Sequence, residues 1–207
     1  MRNWFACAAL AFAATAGAQD TPPDELVKSV MLEIQASVAQ DKDLQAGDRD
    51  KTIALIEQKA LPHFNFGSMT ALAVGPAWQK STPEQKKRLV EGFRGLLTRT
   101  YASSLNTFRD QKLVFRPLRM KPADTDVTVL VRVMQSGAQP VDIEYDMEKT
   151  VRGWKCYDVR VAGISLVVNY RTEFANLVRD GGVDGLIKAL ESKNKASSSP
   201  VAGAVKK

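Results

Sequence analysis

His63 and Cys156 carry the sharpest potential chemistry in this chain, since imidazoles and thiols readily serve as base, nucleophile or metal ligand near neutral pH. His63 is the sole histidine, so any Ser-His-Asp triad would have to use it. It sits in Leu61-Pro62-His63-Phe64, and no Gly-x-Ser-x-Gly run supplies a nucleophile elbow. A structural or surface role is the reading for His63. One histidine and one mature-chain cysteine cannot complete a tetrahedral zinc site, and no Asp-x-Asp-x-Asp calcium loop is present. Cys156 reads as a small buried side chain in a strand. Asp142, Glu144, Asp146 and Glu148 alternate with apolar residues, the pattern of a solvated sheet face rather than a paired-acid active site. No Walker-type run accompanies the isolated Gly181-Gly182 pair. The expectation is a protein with no catalytic residues, metal or cofactor.

The elements around these residues follow from hydrophobic period. Leu26, Val27, Val30, Met31, Ile34 and Val38 form one helical stripe between Asp24 and Val38, and Ile53, Ile56 and Ala60 suggest a second helix that Pro62 ends. Phe64, Phe66, Met69, Leu72, Ala73 and Val74 give a short apolar helix stopped at Gly75-Pro76. Thr82-Pro83-Glu84-Gln85 is a capping-box start. The long helix after it carries an apolar line through Leu89, Phe93, Leu96, Leu97, Tyr101, Leu105 and Phe108. Gly92 and Gly95 interrupt that helix at about 1 kcal/mol each relative to alanine, so close packing or room for a ligand is expected there.

Beyond Phe108 the period falls to two. Strands are expected at 112–118, 126–135, 141–147 and 154–161, joined as antiparallel hairpins through turns at Gly137 and Gly153. Helices return over 165–178 and, after Gly181-Gly182, over 184–193. The order implies an α+β domain: a curved antiparallel sheet of about four strands, packed by N- and C-terminal helices and enclosing a hydrophobic pocket.

Met1-Arg2-Asn3, the apolar run from Trp4 to Ala16 and the small residues Ala16-Gly17-Ala18 predict a signal peptide over 1–18. Cys7 would leave with it, and Cys156 alone cannot form an internal disulfide. Residues 19–194 are expected to form one domain, with a disordered Ala-, Ser- and Lys-rich tail over 195–207. The formal charge is +6 before Arg2 is lost, spread among acids rather than gathered with aromatics, which argues against nucleic-acid binding and for mild attraction to anionic surfaces.

Two blocks of residues resemble a known family. Leu61-Pro62-His63-Phe64-Asn65-Phe66, Ala71-Leu72-Ala73-Val74-Gly75 with Trp78, and Ser81-Thr82-Pro83-Glu84-Gln85 leading to Phe93, Leu97 and Thr100-Tyr101-Ala102 form the first. Gly153-Trp154-Lys155-Cys156-Tyr157-Asp158-Val159, Gly163-Ile164-Ser165-Leu166-Val167, Asn169-Tyr170-Arg171, Phe174 and Gly182-Val183-Asp184-Gly185-Leu186 form the second. Together they resemble the MlaC, or toluene-tolerance auxiliary, family over about Asp24 to Leu190.

The resemblance implies a monomeric periplasmic phospholipid shuttle of Gram-negative cells, serving outer-membrane lipid asymmetry. Its implied partners are an outer-membrane lipoprotein/porin complex and an inner-membrane ABC transporter with a membrane-anchored ring, and phospholipid is its cargo. Residues expected to line the lipid pocket are Phe66, Met69, Leu72, Phe93, Leu97, Tyr101, Val129, Val131, Tyr145, Tyr157, Ile164, Leu166 and Tyr170, with Arg171 near its mouth as a headgroup contact. No convergent polar cluster is evident in the sequence, so weak headgroup selectivity is expected. The alternatives are a transporter adaptor without a lipid cavity and a small enzyme using His63 or an acidic pair.

Overall fold

A computed structural model describes residues 21–102, 104, 111–134, 137 and 139–198. The expected signal peptide, the helical positions Leu105 and Phe108, and the tail from 199 onward lie outside these residues. Helix α1 spans Pro23–Gln40, α2 Lys42–Ala46 and α3 Arg49–Leu55. The chain then passes through a π turn, Ile56–Ala60, and a 3₁₀ turn, Leu61–His63, before α4 (Phe66–Val74), α5 (Pro76–Lys80) and α6 (Pro83–Tyr101).

Strands β1 (Lys112–Phe115), β2 (Asp126–Met134), β3 (Val141–Thr150), β4 (Gly153–Val161) and β5 (Ile164–Ser165) form one antiparallel sheet in sequence order. The α+β architecture is therefore as the periodicity indicated, with the short β5 as a fifth strand. A 3₁₀ turn, Val168–Tyr170, leads into α7 (Arg171–Ser198). The expected helix from Ser165 thus starts at Arg171, because Ile164 and Ser165 are drawn into the sheet against Val161 and Arg160.

Local chemistry explains the boundaries. Thr82 and Gln85 close a reciprocal capping box at the start of α6, where Pro83 loses no useful donor. Asn65 caps α4, its side-chain oxygen accepting from the Gly67 and Ser68 amides at 3.1 and 3.3 Å. Gly182 sits at φ 65°, ψ −171° inside α7 and kinks it, a conformation suited to glycine. At Gly92 an added Cβ would lie 3.0 Å from the Leu190 Cβ, so this glycine lets α6 and α7 approach closely.

Two apolar layers result. One joins α4, α6 and α7 around Leu89, Phe93, Leu97, Phe174, Leu186 and Leu190. The other lies between α1 and one sheet face, where Val27 and Met31 meet Val129, Val131, Met147, Trp154 and Cys156. The opposite face carries the acidic ladder in the solvated role that alternation predicts. Arg132 forms a two-pronged ion pair with Asp142 (2.7 and 2.8 Å), and Arg160 bridges Glu144 and Asp146. These half-exposed pairs contribute modestly to stability.

Asp158 clasps β4 to β5 and to the turn that leads toward α7. Its buried carboxylate accepts from Ser165 Oγ (2.5 Å) and from the Val159 and Val167 amides (2.8 and 3.3 Å). Burial raises its carboxyl pKa, partly offset by these bonds. Asp158→Ala would deprive the fully buried Val167 amide of its carboxylate acceptor. The variant is expected to lose about 1 to 3 kcal/mol of unfolding free energy in urea titrations, and unaltered stability would dismiss the clasp.

Candidate functional site

Phe64 and Asn65 are where the two layers are stitched together. The Asn65 amide donates to the Cys156 carbonyl at 2.8 Å, and Asn65 Nδ2 donates to Glu148 Oε1 at 2.7 Å. The adjoining π and 3₁₀ turns do not follow the α-helical repeat, so their side chains cannot pack in one continuous ridge. Two apolar cavities remain on either side of this segment.

The first, chamber 1, has a volume of about 130 Å³. Ile56, Ala60, Leu61 and Phe64 form one wall, Phe66 and Met69 of α4 a second, Leu97, Thr98 and Tyr101 of α6 a third, and Val159 with Leu166 the last. Chamber 2 has a volume of about 120 Å³ between α1 and the sheet. Leu26, Val27, Val30, Met31 and Ile34 face Tyr145, Met147 and Cys156 there, with Ala60, His63 and Phe64 closing the side. Ala60 and Phe64 thus belong to both chambers, and Phe64 also stacks on Phe66 with ring centroids 5.9 Å apart.

Of the residues expected to line a pocket, Phe66, Met69, Leu97, Tyr101 and Leu166 border chamber 1, and Tyr145 borders chamber 2. The others line neither. Phe93 (0% exposed), Val129 and Val131 are packed core. Leu72 and Ile164 face solvent at 37% and 63% exposure. Tyr157 stands at the β-bulge opposite Asp146/Met147, near Asp126. Tyr170 packs edge-on against Phe93, with centroids 5.3 Å apart, and it neighbours Tyr101. Burial, followed by the Tyr170 neighbour, pushes the Tyr101 phenol up to about 12. Arg171 lies over Gly75 at the end of α4. The chamber-2 residues of α1 had been visible as a helical stripe, but a stripe facing a cavity has the same period as one facing a solid core.

The titratable groups beside the chambers favour their neutral forms. Burial pushes the Cys156 thiol well up, and its sulfur lies 3.1 Å from the Asp158 carbonyl; an uncharged thiol is a poor nucleophile. Tyr145 is pushed up by burial too, and its hydroxyl points at Met31 Sδ, 3.5 Å away. His63 is pushed down, first by burial and then by Lys155, whose ammonium donates to the Pro62 carbonyl at 2.7 Å. Among the described residues no group of three or more His, Cys, Asp or Glu could hold a metal ion, and no helix is long and apolar enough to cross a membrane.

With this geometry in hand, likeness to known proteins becomes informative. A family profile described as MlaC protein matches residues 28–192. The "intermembrane phospholipid transport system binding protein MlaC" of Haemophilus influenzae is 20% identical, with 97% of this chain and 96% of that protein covered. The "toluene tolerance protein ttg2D" of Pseudomonas putida is 26% identical over 59% of this chain and 60% of its own length. Among solved structures, a phospholipid-binding protein from Ralstonia solanacearum in complex with a phospholipid superposes with a TM-score of 0.79. It is 35% identical, and the match covers 86% of this chain and all of that one.

Because the folded state holds His63 below its ordinary pKa of 6.5, the neutral ring contributes stability above that value. This contribution is lost as the pH falls through the lowered folded value. His63→Gln should therefore show a shallower decline in stability than the parent between pH 7 and 5 in thermal melts, and parallel curves would contradict the burial of this ring.

Proposed function

The chain belongs to the MlaC family, and from that premise we propose that it is a periplasmic carrier that holds phospholipid acyl chains between its sheet and helices and moves them between the two membranes. The observation that carries this reading is the character of the chambers. Chamber 1 is walled almost wholly by aliphatic and aromatic side chains, with polar atoms offered only by Thr98 and Tyr101. A diacyl lipid presents on the order of thirty methylenes, at about 0.8 kcal/mol each, so exposing it to water costs on the order of 20 kcal/mol. A carrier meets this demand with a dry interior that resembles the bilayer as a solvent. Extreme affinity is unnecessary, because the lipid passes from one apolar host to another. The R. solanacearum protein, which shares this fold, has been seen with a phospholipid bound.

Size adds a mechanical requirement. Each chamber, about 130 or 120 Å³, is comparable to the roughly 150 Å³ cavity that admits one benzene. Neither holds a whole acyl chain, so loading requires the walls to separate. The irregular Ile56–His63 segment is the wall common to both, and moving it would enlarge the two chambers together. The outer-membrane lipoprotein/porin complex and the membrane-anchored ring of an inner-membrane ABC transporter are the proposed donor and acceptor, in either direction.

Protein purified from its native periplasm is expected to yield phospholipid on organic extraction and mass spectrometry. Ala60→Phe, which places a ring where both chambers have space, should fold and lower bound phospholipid severalfold. Folded parent protein that is repeatedly free of lipid would refute the carrier, and undiminished loading of Ala60→Phe would refute this location for the tails.

A further inference from the structure

Beside chamber 1 lies a cavity of opposite character. It is an open cleft of about 240 Å³ onto which Glu57, Glu91, Arg94 and Arg99 converge. Glu91, Arg94 and Thr98 follow one another at three- and four-residue steps along a single stripe of α6, and Glu57 reaches the same cleft from the π turn. Thr98 borders both this cleft and chamber 1. The Arg94 guanidinium lies over the ring of Phe66, 5.9 Å from its centroid, and that ring is itself a wall of chamber 1. Arg99 is folded back toward α6, its guanidinium donating to the Gly95 carbonyl at 3.3 Å. Among the described residues none of these four charged side chains forms an ion pair, in contrast to the neighbouring Arg88, which is bound to Glu191 at 2.6 Å.

We propose that this cleft receives the headgroup of a zwitterionic phospholipid of the phosphoethanolamine type, with its tails entering chamber 1 past Thr98. The inference rests on the carrier reading above and adds which lipid is carried. Two guanidinium groups suit phosphate oxygens, for which their planar forks of donors are adapted. Two carboxylates on the same cleft suit a primary ammonium and disfavour a headgroup whose only charge is negative. Opposite charges that share a cleft without pairing, among the described residues, suit a ligand that carries both signs. A purely anionic lipid would meet the arginines favourably but would face Glu57 and Glu91 with nothing to offset them. The arrangement therefore discriminates by charge pattern instead of by shape, which suits a carrier that must accept acyl chains of varied length.

The test uses the full mature protein incubated with vesicles of equal phosphatidylethanolamine and phosphatidylglycerol, re-isolated, extracted and analysed by mass spectrometry. The parent protein is expected to take up phosphatidylethanolamine preferentially. In Glu57→Gln/Glu91→Gln the ratio of the two lipids should shift toward phosphatidylglycerol by about three- to fivefold, the scale of exposed charge contacts. Arg94→Gln/Arg99→Gln should reduce uptake of both lipids. A ratio in the glutamate variant equal to that of the parent, with lipid present in both, would overturn the headgroup site and leave the carrier standing. An absence of both lipids from folded parent protein would overturn both readings. Glu57 and Glu91 are exposed, so the glutamate pair decides the matter even if the arginine variant fails to fold.

Discussion

Exclusion of water from an incompletely filled apolar interior is the constraint around which this molecule is organised. A fully packed core would satisfy stability better, since every unfilled space forfeits dispersion contacts along its lining. Here chamber 1 lies where the α4–α6–α7 layer meets the sheet and the Ile56–Phe64 segment, and chamber 2 lies within the second layer, between α1 and the sheet. Neither layer needs the chambers filled in order to hold together. Phe93, Phe174 and Leu190 pack the first without them, and Val129, Val131 and Trp154 the second. Stability is thus placed in solidly packed parts of both layers, and the chambers border them.

Chamber 1 has unequal walls. On one side α6 is fastened to α7 by the close approach at Gly92, by the Asn194 side chain donating to the Gly92 carbonyl at 2.9 Å, and by the Arg88–Glu191 pair. On the other side the chain leaves α3 through π and 3₁₀ turns whose hydrogen bonding departs from the α pattern. Such turns are found at functional positions because they change side-chain direction within a few residues. The segment is held along its length, by the Lys59–Glu33 ion pair to α1 at 2.5 Å, by the Lys155 ammonium on the Pro62 carbonyl at 2.7 Å, and by Phe64 and Asn65 against Cys156 and Glu148. A regular helical wall thus faces an irregular one, whose turns leave the two chambers unfilled.

The fold was largely legible because most of its elements obey one period. Val127 to Val133 alternates with Thr128, Leu130 and Arg132 since one sheet face is covered by α1 and the other is wet. Thr82 and Gln85 announced α6 through a reciprocal bond that needs only their spacing. The site was less legible, for three separable reasons. Ile56 to Phe64 has no regular period, so its role as a shared wall left no pattern to count. Leu72 and Ile164 have the composition of pocket residues, yet α4 and β5 turn them to solvent. Tyr157 was misleading because the bulge opposite Asp146/Met147 adds a residue to β4 and interrupts the alternation there. The charged cleft was invisible for a different reason, since Glu57 and Arg94 come from distant stretches of chain and converge only in the fold.

Helix α6 ties these features into a single amphiphile-shaped surface. Leu97, Thr98 and Tyr101 give it a face toward chamber 1, while Glu91, Arg94 and Arg99 give it a face toward the cleft, with Thr98 on the boundary. On the carrier and headgroup proposals, one helix sets the spacing between the place for tails and the place for a polar head. Tail burial is unspecific and scales with apolar area, so it supplies capacity without choosing among lipids. Choice has to come from a few polar groups at the boundary, where partial hydration keeps each contact weak. Weak contacts are an advantage to a carrier: it must release what it selects, and selectivity built from exposed charges can be surrendered at the next membrane without a large barrier.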